Sequence, residues 1–234
     1  MAVPDRMDER LRAVRLVEEQ RMAQAVLAEA IEGGLIVPGR TECEVDDRIW
    51  DVAGEVFGTA VAWPDRLVRS GPNTVLPYGQ GPPDRVIGVD DIVVIDLGPL
   101  FVGQETDFAR TFVVGDDPGR RRLVEDLAEV AAAARETFLG QDDITGRQLH
   151  AEVRALAGKA GWSLGTWQVG RLCGQDPAVG GSDPERCSFI GPDNDEPLRR
   201  TAAGGWRAHW ILEIRLVDDY GGFGGTFKQL LDLV

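Results

Sequence analysis

Residues 92–114 constrain the fold more than any other stretch of this chain. The segment opens Ile-Val-Val-Ile-Asp-Leu-Gly and closes Thr-Asp-Phe-Ala-Arg-Thr-Phe-Val-Val. Ile92–Asp96 is an apolar, β-branched run that stops on a carboxylate, the pattern of a buried strand. Thr106–Val114 starts beside Asp107 and then alternates, which predicts a second strand, with a short turn around Val102–Gly103. Strand ends deliver side chains to one rim of a sheet, so Asp96 and Asp107 are expected to meet there. Two carboxylates brought together repel. They must share a proton, take a metal, or hold an organic cation.

The formal net charge of −14 with no clustered basic patch argues against a nucleic-acid partner. Cys43, Cys173 and Cys187 make no disulfide framework, which points to a reducing, cytoplasmic setting. No apolar run approaches the roughly 20 residues needed to span a bilayer, so no membrane partner is expected. The charged N-terminus lacks the apolar core of a signal peptide.

Around the central stretch the chain alternates helical and extended patterns. Residues 5–32 read as a long surface helix that stops at Gly33-Gly34. Thr41-x-x-Glu44 is a capping box for a second helix reaching about Phe57. A short strand is expected over 64–70, followed by a Pro/Gly-rich loop through Tyr78 that is long enough to line a site. Asp116-Asp117-Pro118-Gly119 opens a third helix to about Leu139, and Thr145-x-x-Gln148 caps a fourth that ends at Gly161. Trp162–Gly170 reads as a strand, 171–205 as irregular, and His209–Val217 and Phe223–Leu233 as closing strands. With 234 residues and no linker or repeat, one α+β domain over 1–234 is the expectation. His150, in mid-helix, is expected at the surface.

Three motifs in this order, Val-Ile-Asp96-Leu-Gly, Thr-Asp107-Phe-Ala-Arg-Thr-Phe and His-Trp-Ile-Leu-Glu213-Ile, resemble the pita-bread family of methionine aminopeptidases, proline peptidases and creatinase. The resemblance covers nearly the whole chain and implies a single-domain pita-bread fold. The family's peptidases hold two divalent metals with two Asp, one His and two Glu. Asp96, Asp107 and Glu213 match three of those ligands. Arg171 stands where the ligand His is expected and Lys228 where the last Glu is expected. Two substrate-side histidines of the family fall near Ala178 and at Tyr78. A guanidinium has no lone pair to give, and an ammonium gives one only after losing its proton. The departures therefore predict no metal and no cofactor. Arg171 and Lys228 are expected to pair with the three carboxylates instead.

These residues lead to three competing functions. The first is a metal-free enzyme acting on a small amine-bearing substrate, with Asp107, Glu213 and Lys228 in catalytic roles. Asp96, Arg171, Tyr78, His209 and Trp167 would then contact the substrate. His209 shares a strand face with Glu213 by two-residue spacing. Creatinase, which acts on a C–N bond without metal, is the precedent within the resemblance. Ring closure to an aziridine or azabicycle with loss of an anionic leaving group is one form of this chemistry. In its lost ligands and acidic cavity, though in no motif of its own, the chain is similar to the azabicycle-forming proteins of azinomycin- and ficellomycin-type antibiotic pathways. The second function is a creatinase-like C–N hydrolase, with His209 activating water. The third is a catalytically silent binding partner in a homo- or hetero-oligomer.

Overall fold

The computed structural model describes residues 6–58, 68–77, 80–98, 104–174, 186–202, 205–220 and 222–233. Four helices are α1 (Arg6–Glu32), α2 (Glu42–Phe57), α3 (Pro118–Gly140) and α4 (Gly146–Ala160). The strands are β1 (Val68–Ser70), β2 (Ile92–Leu97), β3 (Phe108–Val113), β4 (Ser163–Leu164), β5 (Gly170–Leu172), β6 (Trp210–Val217) and β7 (Gly224–Leu230). They form one sheet in the order β1-β2-β3-β7-β6-β4, with β5 also on β6. Each of its pairings is antiparallel.

Local chemistry sets the helix starts. Both capping boxes form: Thr41 accepts from Glu44 N and Thr145 from Gln148 N, and each partner side chain returns a bond to the cap backbone. Asp117 caps α3 ahead of Pro118.

Register shows how the layers divide. Ile95, Arg110, Phe227 and Ile214 lie across neighbouring strands and share one sheet face. At the β2 end this face packs on α1 and α2 through Val93, Ile95 and Leu97. At the β6 end it packs on α3 and α4 through Leu212, Ile214 and Leu216. Both helix pairs therefore cover one face, and the opposite face of the central strands is left for other side chains. The first half of α1 bounds that second face, where Leu16 packs with Ile211 and Leu230.

Three expectations need correction. The strand predicted over 162–170 is two short pieces, β4 and β5, and Arg171 lies inside β5. Residues 170–172 pair with β6, a non-local partner that no local pattern announces. His150 is 7% exposed rather than on the surface, because it faces the packed side of α4. The described part of 171–205, though irregular, is organised by buried Asn194, which donates to the Phe189 and Cys187 carbonyls at 2.7 and 3.2 Å. The predicted turn at 102–103, residues 64–67 and Tyr78 lie outside the described residues.

Candidate active site

The second sheet face carries the charged residues. Asp96 pairs with Ala109, Ala109 with Lys228, and Lys228 with Glu213, so the register sets these four residues in one row across β2, β3, β7 and β6. Paired residues point to the same face. Asp107 lies two residues before Ala109 and shares its face. Arg171 pairs with Ile211, two residues before Glu213, and joins the same face from β5.

Side-chain distances confirm this assembly. Lys228 Nζ lies 2.7 Å from Asp96 Oδ2, 3.3 Å from Asp107 Oδ2 and 3.6 Å from Glu213 Oε1. Arg171 Nη2 bonds Asp107 Oδ2, and its Nε lies 4.0 Å from Glu213 Oε2. Gln168, unremarked in the sequence, donates to Glu213 Oε2 at 3.2 Å. Only its place in the fold reveals that role. The Asp107 Oδ1 atom is buried and has no hydrogen-bond partner among the described residues.

Asp96 is the exception in burial, with its side chain 16% exposed against 5% or less for Asp107, Glu213, Lys228 and Arg171. Burial pushes the Asp96 carboxyl up to about 6, opposed by Lys228 and reinforced by Asp107. Burial acts the same way on Asp107, but Lys228 and Arg171 outweigh it and hold that carboxyl below its usual range. Of these two, Asp96 is the carboxyl brought toward proton exchange near neutral pH.

Of the other sequence candidates, His209 does not join this cluster in any described contact. Its Nδ1 lies 2.6 Å from Asp232 Oδ2 and its Nε2 3.3 Å from Glu9 Oε1. It precedes β6 rather than sitting within it, so strand spacing does not aim it at the carboxylates. Trp167 is 53% exposed and packs on Phe189, with ring centroids 5.1 Å apart. Arg215, on the same face of β6 as Glu213, anchors the chain before residue 78 by donating to the Leu76 carbonyl at 2.8 Å. It shares that carbonyl with Arg69.

Residues 15–200 match metallopeptidase family M24. The chain belongs to that family. An Xaa-Pro dipeptidase of Pyrococcus furiosus is 30% identical over 139 residues, 59% of this chain and 38% of that protein. An Xaa-Pro dipeptidase of Pyrococcus horikoshii is 26% identical over 167 residues, 67% of this chain and 46% of that protein. The chain thus spans less than half the length of these relatives. A prolidase from Thermococcus sibiricus superposes with a TM-score of 0.69 at 24% identity, over 99% of this chain and 57% of that one. A methionine aminopeptidase from Thermotoga maritima does so with a TM-score of 0.63 at 18% identity, over 93% of this chain and 96% of that one. These superpositions establish the pita-bread fold expected from the three motifs.

M24 membership implies a metal centre, and the side chains at this site do not fit one. The oxygens a dication would need are already engaged by an ammonium and a guanidinium. Neither cation donates a lone pair while charged, and pairing with carboxylates favours the charged form. A cation about 4 Å from a like unit charge is repelled by roughly 4 kcal/mol at an effective dielectric of 20, and a dication by more. Among the described residues no group of three or more His, Cys, Asp or Glu is arranged to hold a metal ion. No described helix is long and apolar enough to cross a membrane.

Proposed function

We propose that this M24 chain is a metal-independent enzyme acting on a small amine-bearing substrate, whose ammonium is taken by the Asp96–Asp107–Glu213 carboxylates. One observation carries this. Among the described residues three carboxylates face two cations, Asp96 is partly exposed, and Asp107 Oδ1 has no hydrogen-bond partner. That balance suits a monocation and not a pair of dications.

Asp96 is the base in this reading, because it is the carboxylate nearest solvent with the proton affinity for exchange. Lys228 holds Asp96 and Asp107 in position as a charged ammonium. The reaction that fits is ring closure. A proton passes from the ammonium to Asp96, and the freed lone pair forms a C–N bond. The C–O bond to an anionic ester breaks, and the leaving anion keeps that electron pair. Azabicycle formation of the antibiotic-pathway kind is one instance. With His209 bracketed by Asp232 and Glu9, a hydrolase reading lacks its water activator.

The test incubates metal-free protein with a sulfate ester of a hydroxylated diamino acid and follows released sulfate and cyclised product by mass spectrometry. Product that disappears in Asp96→Asn and persists with chelator supports the reading. A second reading, a silent scaffold, draws on the same ion pairs, since they hold Lys228 and Arg171 within the cluster. Absence of both turnover and any calorimetric heat with small diamines would favour it.

A further inference from the structure

Beside the cluster lies a pocket of about 740 Å³, formed by the first half of α1, Glu105, the end of β5, and Ala202, Trp206 and Arg207. Small-molecule sites occupy roughly 300–1,000 Å³, so its size is in range. Two short paths join it to the cluster. Glu105 precedes Asp107 by two residues, and Cys173 follows Arg171 by two. Two residues of extended chain cover about 7 Å. A bond from Gly174 N to the Glu105 carbonyl, 2.9 Å, ties the two paths together.

The pocket is richer in guanidinium than the chain as a whole. Arg12, Arg15 and Arg207 line it with Asp8 and Glu105, and Glu19 reaches Arg15 Nε at 3.6 Å, so three guanidiniums meet three carboxylates in a protein of net charge −14. Glu105 is occupied internally: Arg12 reaches it through Nε and Nη2 at 3.2 and 2.7 Å, and Arg15 through Nη2. Arg12 is in turn fixed by donating to the Arg207 carbonyl at 3.1 Å and lies 5.7 Å over the Trp206 ring. Among the described residues the exposed Arg207 guanidinium makes no ion pair, and Arg15, held by Glu105 through Nη2 and by Glu19 through Nε, keeps Nη1 outside both pairs, so Arg207 and Arg15 Nη1 can reach a ligand. Guanidinium groups are suited to carboxylate, sulfate and phosphate oxygens.

We infer that this pocket binds an anionic group, a carboxylate, sulfate or phosphate, belonging to the substrate whose ammonium the carboxylate cluster takes. This rests on the ammonium reading above and adds to it that the substrate is a zwitterion. Leu172 and Trp206 supply apolar wall for the carbon chain between them.

Isothermal titration with three probes separates the two ideas: butyl phosphate, 4-aminobutyl phosphate and 1,4-diaminobutane. The proteins are wild type, Arg15→Ala, Arg207→Ala and Asp96→Asn, each checked for folding by circular dichroism. Butyl phosphate is expected to bind wild type and to weaken about tenfold or more in each arginine variant, since each loses a charge-assisted bond. It should be indifferent to Asp96→Asn. 4-Aminobutyl phosphate should bind tighter than butyl phosphate and lose that advantage in Asp96→Asn. If butyl phosphate fails to bind, or binds the arginine variants as it binds wild type, the anion pocket is refuted. If it binds as expected and the amine adds nothing, the pocket stands and the ammonium reading falls. If diaminobutane binds through Asp96 and the phosphate adds nothing, the pocket falls and the ammonium reading stands.

Discussion

Lys228 Nζ sits within 3.6 Å of three carboxylates, so its removal leaves buried negative charge with too little compensation. Lys228→Met is expected to lose about 3–5 kcal/mol in urea unfolding near neutral pH. The loss should shrink in acid, where the carboxylates take up protons. An unchanged midpoint would mean that the ammonium does not hold the cluster. Asp96 gives a separate signal. Its carboxyl is raised from 3.8 to about 6 in the folded protein. Between those values the folded state binds more proton than the unfolded state, so this group's contribution to stability falls as pH rises through the window. Asp107, held low, acts oppositely: its contribution is lost as pH falls through its folded value. Asp96→Asn should therefore gain on wild type in thermal midpoint from about pH 4 to about pH 6 and hold level above. A constant difference across that range would show that Asp96 is not elevated.

At the scale of elements, β5 is a three-residue strand on which the placement of Arg171 depends. A Cβ at Gly170 would come 2.5 Å from the Ile211 carbonyl oxygen and 2.7 Å from Ile190 Cδ1. The backbone oxygen belongs to the β5–β6 ladder and has little room to give. Gly170→Ala is expected to cost about 1–3 kcal/mol by urea denaturation, with β5 pushed off β6. A wild-type midpoint would show that the strand shifts without strain. Helix starts tolerate more. Thr41→Ala removes one half of a capping box and should cost about 1 kcal/mol while leaving the site intact. The four helices were legible because apolar periodicity, capping boxes and terminal glycines are local signals. The β5 strand was not, because its three residues are extended by partners some forty positions away.

At the scale of the whole molecule, the proposal of a metal-independent site rests on the donor set and not on the fold. The chain has the M24 scaffold, and two fixed cations pair with its clustered carboxylates. A site filled at a hundred times its dissociation constant adds about 2.7 kcal/mol of stability. In a protein of this size that raises the thermal midpoint by roughly 5–10 °C. Millimolar manganese or cobalt is expected to leave the midpoint where it is. A rise of that size, lost with chelator, would overturn the misfit of the donor set.

Sequence by itself determined the family and the fold class, and it set Arg171 and Lys228 at positions where the resemblance expects metal ligands. Those rest on contiguous motifs and on residue chemistry that holds wherever Arg171 and Lys228 sit. Only the tertiary structure decided which carboxylate reaches solvent, that Gln168 braces Glu213, that His209 is held by Asp232 and Glu9, and that three arginines share a pocket beside the cluster. Burial and charge pairing are sums over segments distant in the chain. They acquire values only when the sheet brings those segments into register.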